Sequence, residues 1–167
     1  MTIEKGISRI FGMNEAAWER HANPWSVWTR STALPLLILA FWSRAWIGRW
    51  SILAILVAVL WAWLNPRIFH MPRSTDNWAS KAVLGERIWM ERRRAPVPAR
   101  HRIPPAVLSC VSAAGMIPVV WGVYSLSLWP TLLGSALIFL SKLWFLDRMV
   151  WLYEDMHSCR MQAWMGE

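Results

Sequence analysis

The chain reads as an all-α integral membrane protein, a four-helix bundle with interfacial amphipathic helices on its cytoplasmic side. Two observations carry that reading. Ile103–Ser141 is 39 residues without one Asp, Glu, Lys or Arg. Two further apolar runs of bilayer length lie upstream, and the 18 Lys and Arg residues avoid the interior of all these runs almost entirely. Hydrophobic residues make up 56% of the 167, and 15 of them are Trp, more than a soluble core of this size uses. The apolar runs lie too close together for two independent cores, so residues 1–167 form one membrane domain.

As one helix the charge-free run would reach ~58 Å, about twice the hydrocarbon thickness of a bilayer. It must fold back, and Ser125–Leu126–Ser127–Leu128–Trp129–Pro130 supplies the place, because Pro continues a helix only from its first turn. Spans of about 104–126 and 129–150 result. Upstream, the runs centred on Leu36–Ala40 and Leu53–Leu60 give spans of about 25–43 and 46–64. Asn23–Pro24 opens the first, with Asn as cap and Pro as first helical residue, and Asn65–Pro66 closes the second. No cleavable secretory signal is expected, since residues 1–24 are mostly polar and the first apolar stretch leads into another span. Before it, Asn14–His21 reads as a short capped helix.

Charge sets the orientation. Nine cations from Arg67 to Arg102 lie between spans two and three, while the first hairpin holds only Arg44 and Arg49 and the second none. The positive-inside rule places both termini and segment 65–103 in the cytoplasm, with the spans in a bacterial inner membrane. Trp25, Trp28, Trp61, Trp63, Trp144 and Trp151 then fall at inner ends, and Trp42, Trp46, Trp50, Trp121 and Trp129 at outer ends, as two aromatic girdles. The net charge of +8 serves this topology, so no nucleic-acid partner is required to explain it.

Within 65–103 a helix is expected over about 77–94. Trp78, Ala79, Ala82, Val83, Trp89 and Met90 share one arc of its wheel, to be laid against lipid or the bundle. Arg87, Arg92, Arg93 and Arg94 lie off that arc and should attract anionic headgroups by about 1 kcal/mol per cation. Ala106, Cys110 and Ala114, with Gly134 opposite, read as a small-residue seam between spans three and four or between protomers. Cys110 in a span and Cys159 in the tail have no reason to pair.

Glu86 is the anomaly, a carboxylate near the middle of the apolar arc, where a charge requires a partner. Asp147 and Glu154 fall on one stripe where span four ends. Glu154 and His157 have the i, i+3 spacing at which one helix offers a carboxylate and an imidazole to a metal. His21 and His70 flank the two Asn–Pro turns on the same face. Convergence of Glu86, Asp147, Glu154, His157 and one of these two histidines would make a carboxylate-rich site suited to iron or manganese. Against it, Asp147 and Glu154 lie two turns apart, about 10.5 Å along the axis, among a large excess of Arg. Ion pairing explains the same carboxylates.

His21–Ala22–Asn23–Pro24–Trp25–Ser26–Val27–Trp28–Thr29–Arg30, Asp76–Asn77–Trp78–Ala79–Ser80–Lys81 and Leu146–Asp147–Arg148–Met149–Val150–Trp151 together resemble a family of small bacterial tryptophan-rich membrane proteins of unknown function. The resemblance spans most of the chain. It implies a four-span membrane protein and brings no activity, cofactor or catalytic residue. Three roles stay open on the residues. One is a non-enzymatic component, acting as oligomeric pore or carrier or as accessory subunit of a membrane complex. Another is a metal-dependent membrane enzyme with its site at the cytoplasmic rim. The third is an anchor whose basic segment binds anionic lipid or a partner.

Overall fold

Asn23 caps the first helix as its sequence suggests: its side chain accepts from the Trp25 amide at 2.9 Å, and Pro24 stands in the first turn. The structure, a computed structural model, describes residues 20–72, 74–92 and 97–165. The expected Asn14–His21 helix, as well as Arg93 and Arg94, falls largely or wholly outside them. Among the described residues every regular element is helical: α1 Pro24–Arg30, α2 Ala33–Trp42, α3 Arg44–Ile47, α4 Ser51–Ile68, α5 Trp78–Met90, α6 Ile103–Tyr124 and α7 Leu128–Met165, with short 3-10 turns at Gly48–Trp50 and Ala99–His101.

Three helical stretches, Pro24–Asn65, Ala99–Tyr124 and Leu128–Ser158, are long and apolar enough to cross a membrane. The first doubles back on itself. Its opening arm is jointed at Ser31–Thr32, because Pro35 has no N–H for the Ser31 carbonyl and is tolerated only in the first turn of a new helix. Ser31 and Thr32 bond instead to Trp28 and Thr29, three residues back, which tightens the joint without reversing it. The reversal comes at Gly48, whose φ of 54° suits a residue without a Cβ. The second arm therefore starts at Ser51 and not near residue 46. It also runs through Asn65–Pro66 to Ile68, so this pair does not close it; Pro66 forfeits only one bond, in the final turn.

The second hairpin turns at Leu126, with φ 52°, and Pro130 stands in the first turn of α7. At its closest approach Gly115 faces Gly134: a Cβ on Gly134 would lie 2.6 Å from the Gly115 carbonyl oxygen. The buried stripe of α6 is thus Leu108, Gly115, Val119 and Gly122. Ala106, Cys110 and Ala114 lie about 100° round the helix and are exposed, which corrects their assignment to the seam between these two helices; Gly134 does lie in it. The smaller residue decides which stripe allows the backbones to meet.

α7 continues 15 residues beyond the expected span end at 150, and α5 packs across that point, from Phe145 to Glu154. Lys81 meets Glu154, Gly85 meets Met149 and Trp89 meets Phe145, so the two helices run antiparallel. A Cβ on Gly85 would overlap the Met149 carbonyl. The apolar arc of α5 faces α7 and α1, with Ala79, Ala82, Val83 and Trp89 buried. Expected over 77–94, this helix ends at Met90 with Glu91 as its cap.

The four long arms do not close round one core as a single four-helix bundle would. α4 packs on α2 and α1 and makes no substantial contact with α6 or α7. α5 is the strut between the hairpins: the Ser80 hydroxyl donates to the Ala22 carbonyl at 2.5 Å, and Trp78 stacks on Trp28 at 5.8 Å. At the opposite end Arg44 Nη2 donates to the Val123 and Tyr124 carbonyls at 2.7 and 2.6 Å, a cation capping the C-terminus of α6. The main buried cluster, built from Ala22, Val27, Val83, Trp89, Phe145, Met149 and Leu152 among others, lies around α5 and not midway along the apolar arms. Gly85→Ala should destabilise the detergent-solubilised protein by about 2 kcal/mol or more through overpacking. Leu140→Met, at an exposed position of α7, should stay within about 0.5 kcal/mol of the native protein. Thermal unfolding followed by circular dichroism compares the two.

Candidate functional site

The polar side chains gather at the end of the molecule that carries α5, here called the basic end, and three groups of them frame that helix. On its first turn Lys81 Nζ lies 3.1 Å from Asp76 and 3.2 Å from Glu154. Hydrogen bonds to both carboxylates hold the Lys81 ammonium above its ordinary value, so it stays charged. Asp76, Lys81, Tyr153, Glu154 and His157 border a polar recess of about 550 Å³. His157 stacks on Tyr153 at 5.9 Å.

The second group joins the two Asn–Pro motifs. Asn65, fully buried, donates to Thr29 Oγ1 at 2.7 Å and accepts from the Ser26 hydroxyl at 3.3 Å. Asn23 donates to the His70 carbonyl at 2.9 Å. His21 Nε2 meets the Arg30 guanidinium. Burial, followed by the charges of Arg30 and Lys142, pushes the His21 imidazole down to about 3, so it is neutral and accepts from Arg30 through Nε2. Glu86, the residue without an evident partner in the sequence, pairs with Lys142 Nζ at 3.2 Å.

The third group docks segment 97–102 onto α7. His101, only 3% exposed, donates to Asp155 at 2.5 Å, and Arg100 reaches the same oxygen at 2.6 Å. Burial works to raise the Asp155 carboxyl, but the His101 hydrogen bond and the charge and hydrogen bond of Arg100 outweigh it, and the net shift is downward. Sequence reasoning missed this contact, since neither the run preceding Pro104 nor the Glu154–His157 spacing points one residue at the other.

The six carboxylate and histidine candidates are therefore not brought to one centre. Glu86 and Glu154 are held by lysines at separate points along α5, and Asp147 stands half-buried in neither pair. His21 is with Arg30, while His70 contributes its backbone carbonyl. Glu154 and His157 border the same recess, yet among the described residues no three His, Cys, Asp or Glu side chains lie together as metal ligands would. Glu86 and Glu154 are each paired with a lysine, as the Arg and Lys excess favours. Of the expected headgroup cations, Arg87 lies 3.9 Å from Glu91, and Arg92 stacks on the Trp89 ring while donating to its carbonyl at 2.9 Å.

One further recess, a cleft of about 390 Å³, opens between α5, α6 and α7 beside the Glu86–Lys142 pair. Ser109, Ser112 and Ser141 give it hydroxyls, and Leu108, Met116 and Phe145 give it apolar walls. The arrangement suits binding of a polar group flanked by apolar surface.

Two outcomes follow for stability. His101→Ala should cost about 2 kcal/mol or more through loss of a buried charge-assisted hydrogen bond, whereas Lys81→Ala, at an exposed pair, should leave the unfolding midpoint unchanged. For pH, His21 has its ordinary value of 6.5 when unfolded and about 3 when folded. The unfolded chain therefore takes the proton first, and this stability is present above pH 6.5 and lost as pH falls toward 3. The unfolding midpoint should drop between about pH 7 and 4.5, and His21→Gln should flatten that drop.

No curated protein and no solved structure matches the chain. A family model does, over residues 2–166, nearly the whole length. The chain belongs to DUF6653, a family of unknown function.

Proposed function

We propose that the chain is a small, non-enzymatic integral membrane protein that works as a subunit of an oligomer or of a larger membrane complex, a pore or carrier being one form of such an assembly. Four spans lie in a bacterial inner membrane, formed by α1 with α2, by α4, by α6 and by the apolar part of α7. The basic end, both termini and residues 65–103 face the cytoplasm. The charge-free turn of the second hairpin and the cation-rich segment around α5 support that orientation.

The observation that carries the assembly reading is the thin joint between the hairpins. Among the described residues, the main contacts between them beyond the α5 strut are where α2 meets α6 and where Arg44 caps α6. The outward Ala106–Cys110–Ala114 stripe is the kind of surface on which a second transmembrane helix packs closely. Cys110 is a free, exposed thiol on that stripe and serves as the probe. A short bifunctional thiol reagent applied to intact membranes should yield a covalent dimer that Cys110→Ser abolishes. Native mass spectrometry in mild detergent should give a mass above the monomer. A strict monomer with no co-purifying subunit overturns the reading.

A second reading is favoured by Glu154 and His157 bordering one recess: a metal-dependent membrane enzyme holding iron or manganese there, assisted by groups brought in by movement of α5. Stoichiometric iron or manganese in the native protein, lost in Glu154→Ala and His157→Ala, would favour it over the first. Anionic-lipid binding by Arg87, Arg92, Arg93 and Arg94 is compatible with either.

A further inference from the structure

The cleft between α5, α6 and α7 has two chemically different ends. At one, Glu86 and Lys142 form their pair, with Ser109 and Ser141 beside them; at the other, Ala113 and Met116 make an apolar wall. The groove between α2 and α4 is apolar throughout, and the Lys81–Glu154 recess is polar with an open rim. The cleft therefore differs from both in being amphiphilic along its length.

Two observations give it a specific occupant. Its acid and base are both present and both keep open surface, the Glu86 side chain 21% and the Lys142 side chain 48% exposed. Lys142 also lies two residues from the exposed Trp144 of the expected inner girdle, the level of headgroups in the four-span reading. Ala113 and Met116, on the α6 arm that starts at the basic end, reach from there toward the bilayer centre.

We propose that this cleft binds one inner-leaflet phospholipid carrying a phosphoethanolamine headgroup. The headgroup ammonium donates to Glu86 and the phosphodiester accepts from Lys142, replacing the direct ion pair by two charge-assisted hydrogen bonds of the same signs. An acyl chain lies along Ala113 and Met116. Charge complementarity excludes the common alternatives. A phosphocholine head has no N–H to give Glu86. A phosphoglycerol head carries the same phosphodiester but no cation, so Glu86 gains no opposite charge from it. The inference rests on the membrane reading and is independent of the oligomeric state.

The test uses the full-length protein, delipidated in mild detergent and offered phosphatidylethanolamine, phosphatidylcholine or phosphatidylglycerol of matched chains, with bound lipid counted by native mass spectrometry. One phosphatidylethanolamine per chain is expected, held at least tenfold more tightly than the other two. Glu86→Gln should bring the three lipids within about threefold of one another. Lys142→Met should weaken phosphatidylethanolamine at least tenfold. Ala113→Phe fills the apolar end without touching the ion pair and should block binding while the circular dichroism spectrum stays native. Absence of bound lipid on the native protein, equal retention of all three, or an unchanged preference in Glu86→Gln each overturns the proposal. Failure of the membrane reading itself would be distinct, since the chain would then remain dispersed without detergent.

Discussion

The contact between Gly85 and the Met149 backbone is the constraint on which the rest of the structure depends. No side chain intervenes there, so α5 lies as close to α7 as two helices can, and the Lys81–Glu154 and Trp89–Phe145 contacts follow on either side. Once α5 is seated, Ser80 and Trp78 draw in the chain around Ala22 and Trp28, and the first hairpin is attached to the second. The hairpins share little else at that end. A helix of 13 residues with a charged back thus becomes the joint of the molecule.

Seating α5 antiparallel on α7 also explains the electrostatics of the basic end. A chain with 18 Lys and Arg and 10 Asp and Glu has to distribute few carboxylates among many cations. Lys81 and Glu86 are five residues apart on α5, and their partners Glu154 and Lys142 are twelve apart on α7, so the two carboxylates are held at separate points. The geometry that satisfies Glu86 is therefore the one that keeps it from joining Glu154 and His157. It also leaves an acid–base pair at one end of a cleft that is otherwise walled by apolar side chains and serine hydroxyls.

What the sequence made legible was set by strong local signals. A charge-free run twice as long as one span has to turn. Asn before Pro caps α1. Tertiary contacts account for the differences. Asn65–Pro66 looks like punctuation, yet Asn65 is drawn into a buried network with Ser26 and Thr29, and the helix continues past the pair. Ala106, Cys110 and Ala114 have the right spacing for a seam, but a neighbouring register containing Gly115 allows closer approach, and spacing alone does not rank two registers. The partner of Glu86 was present in the sequence as Lys142, 56 residues away, with nothing local to join them. The same holds for His101 and Asp155.

The direct test of the central claim is a cross-linking measurement in membranes on a chain lacking Cys110 and Cys159, with thiols placed at 81 and 154. If α5 is seated on the continuation of α7, a short bifunctional reagent should join these two positions in high yield within one chain, while a thiol at 81 paired with one at the exposed Leu140 should give none. Equal yields for the two pairs, or none for 81 with 154, would mean that α5 lies elsewhere and that the joint, the pairing of Glu86 and the amphiphilic cleft all fall with it.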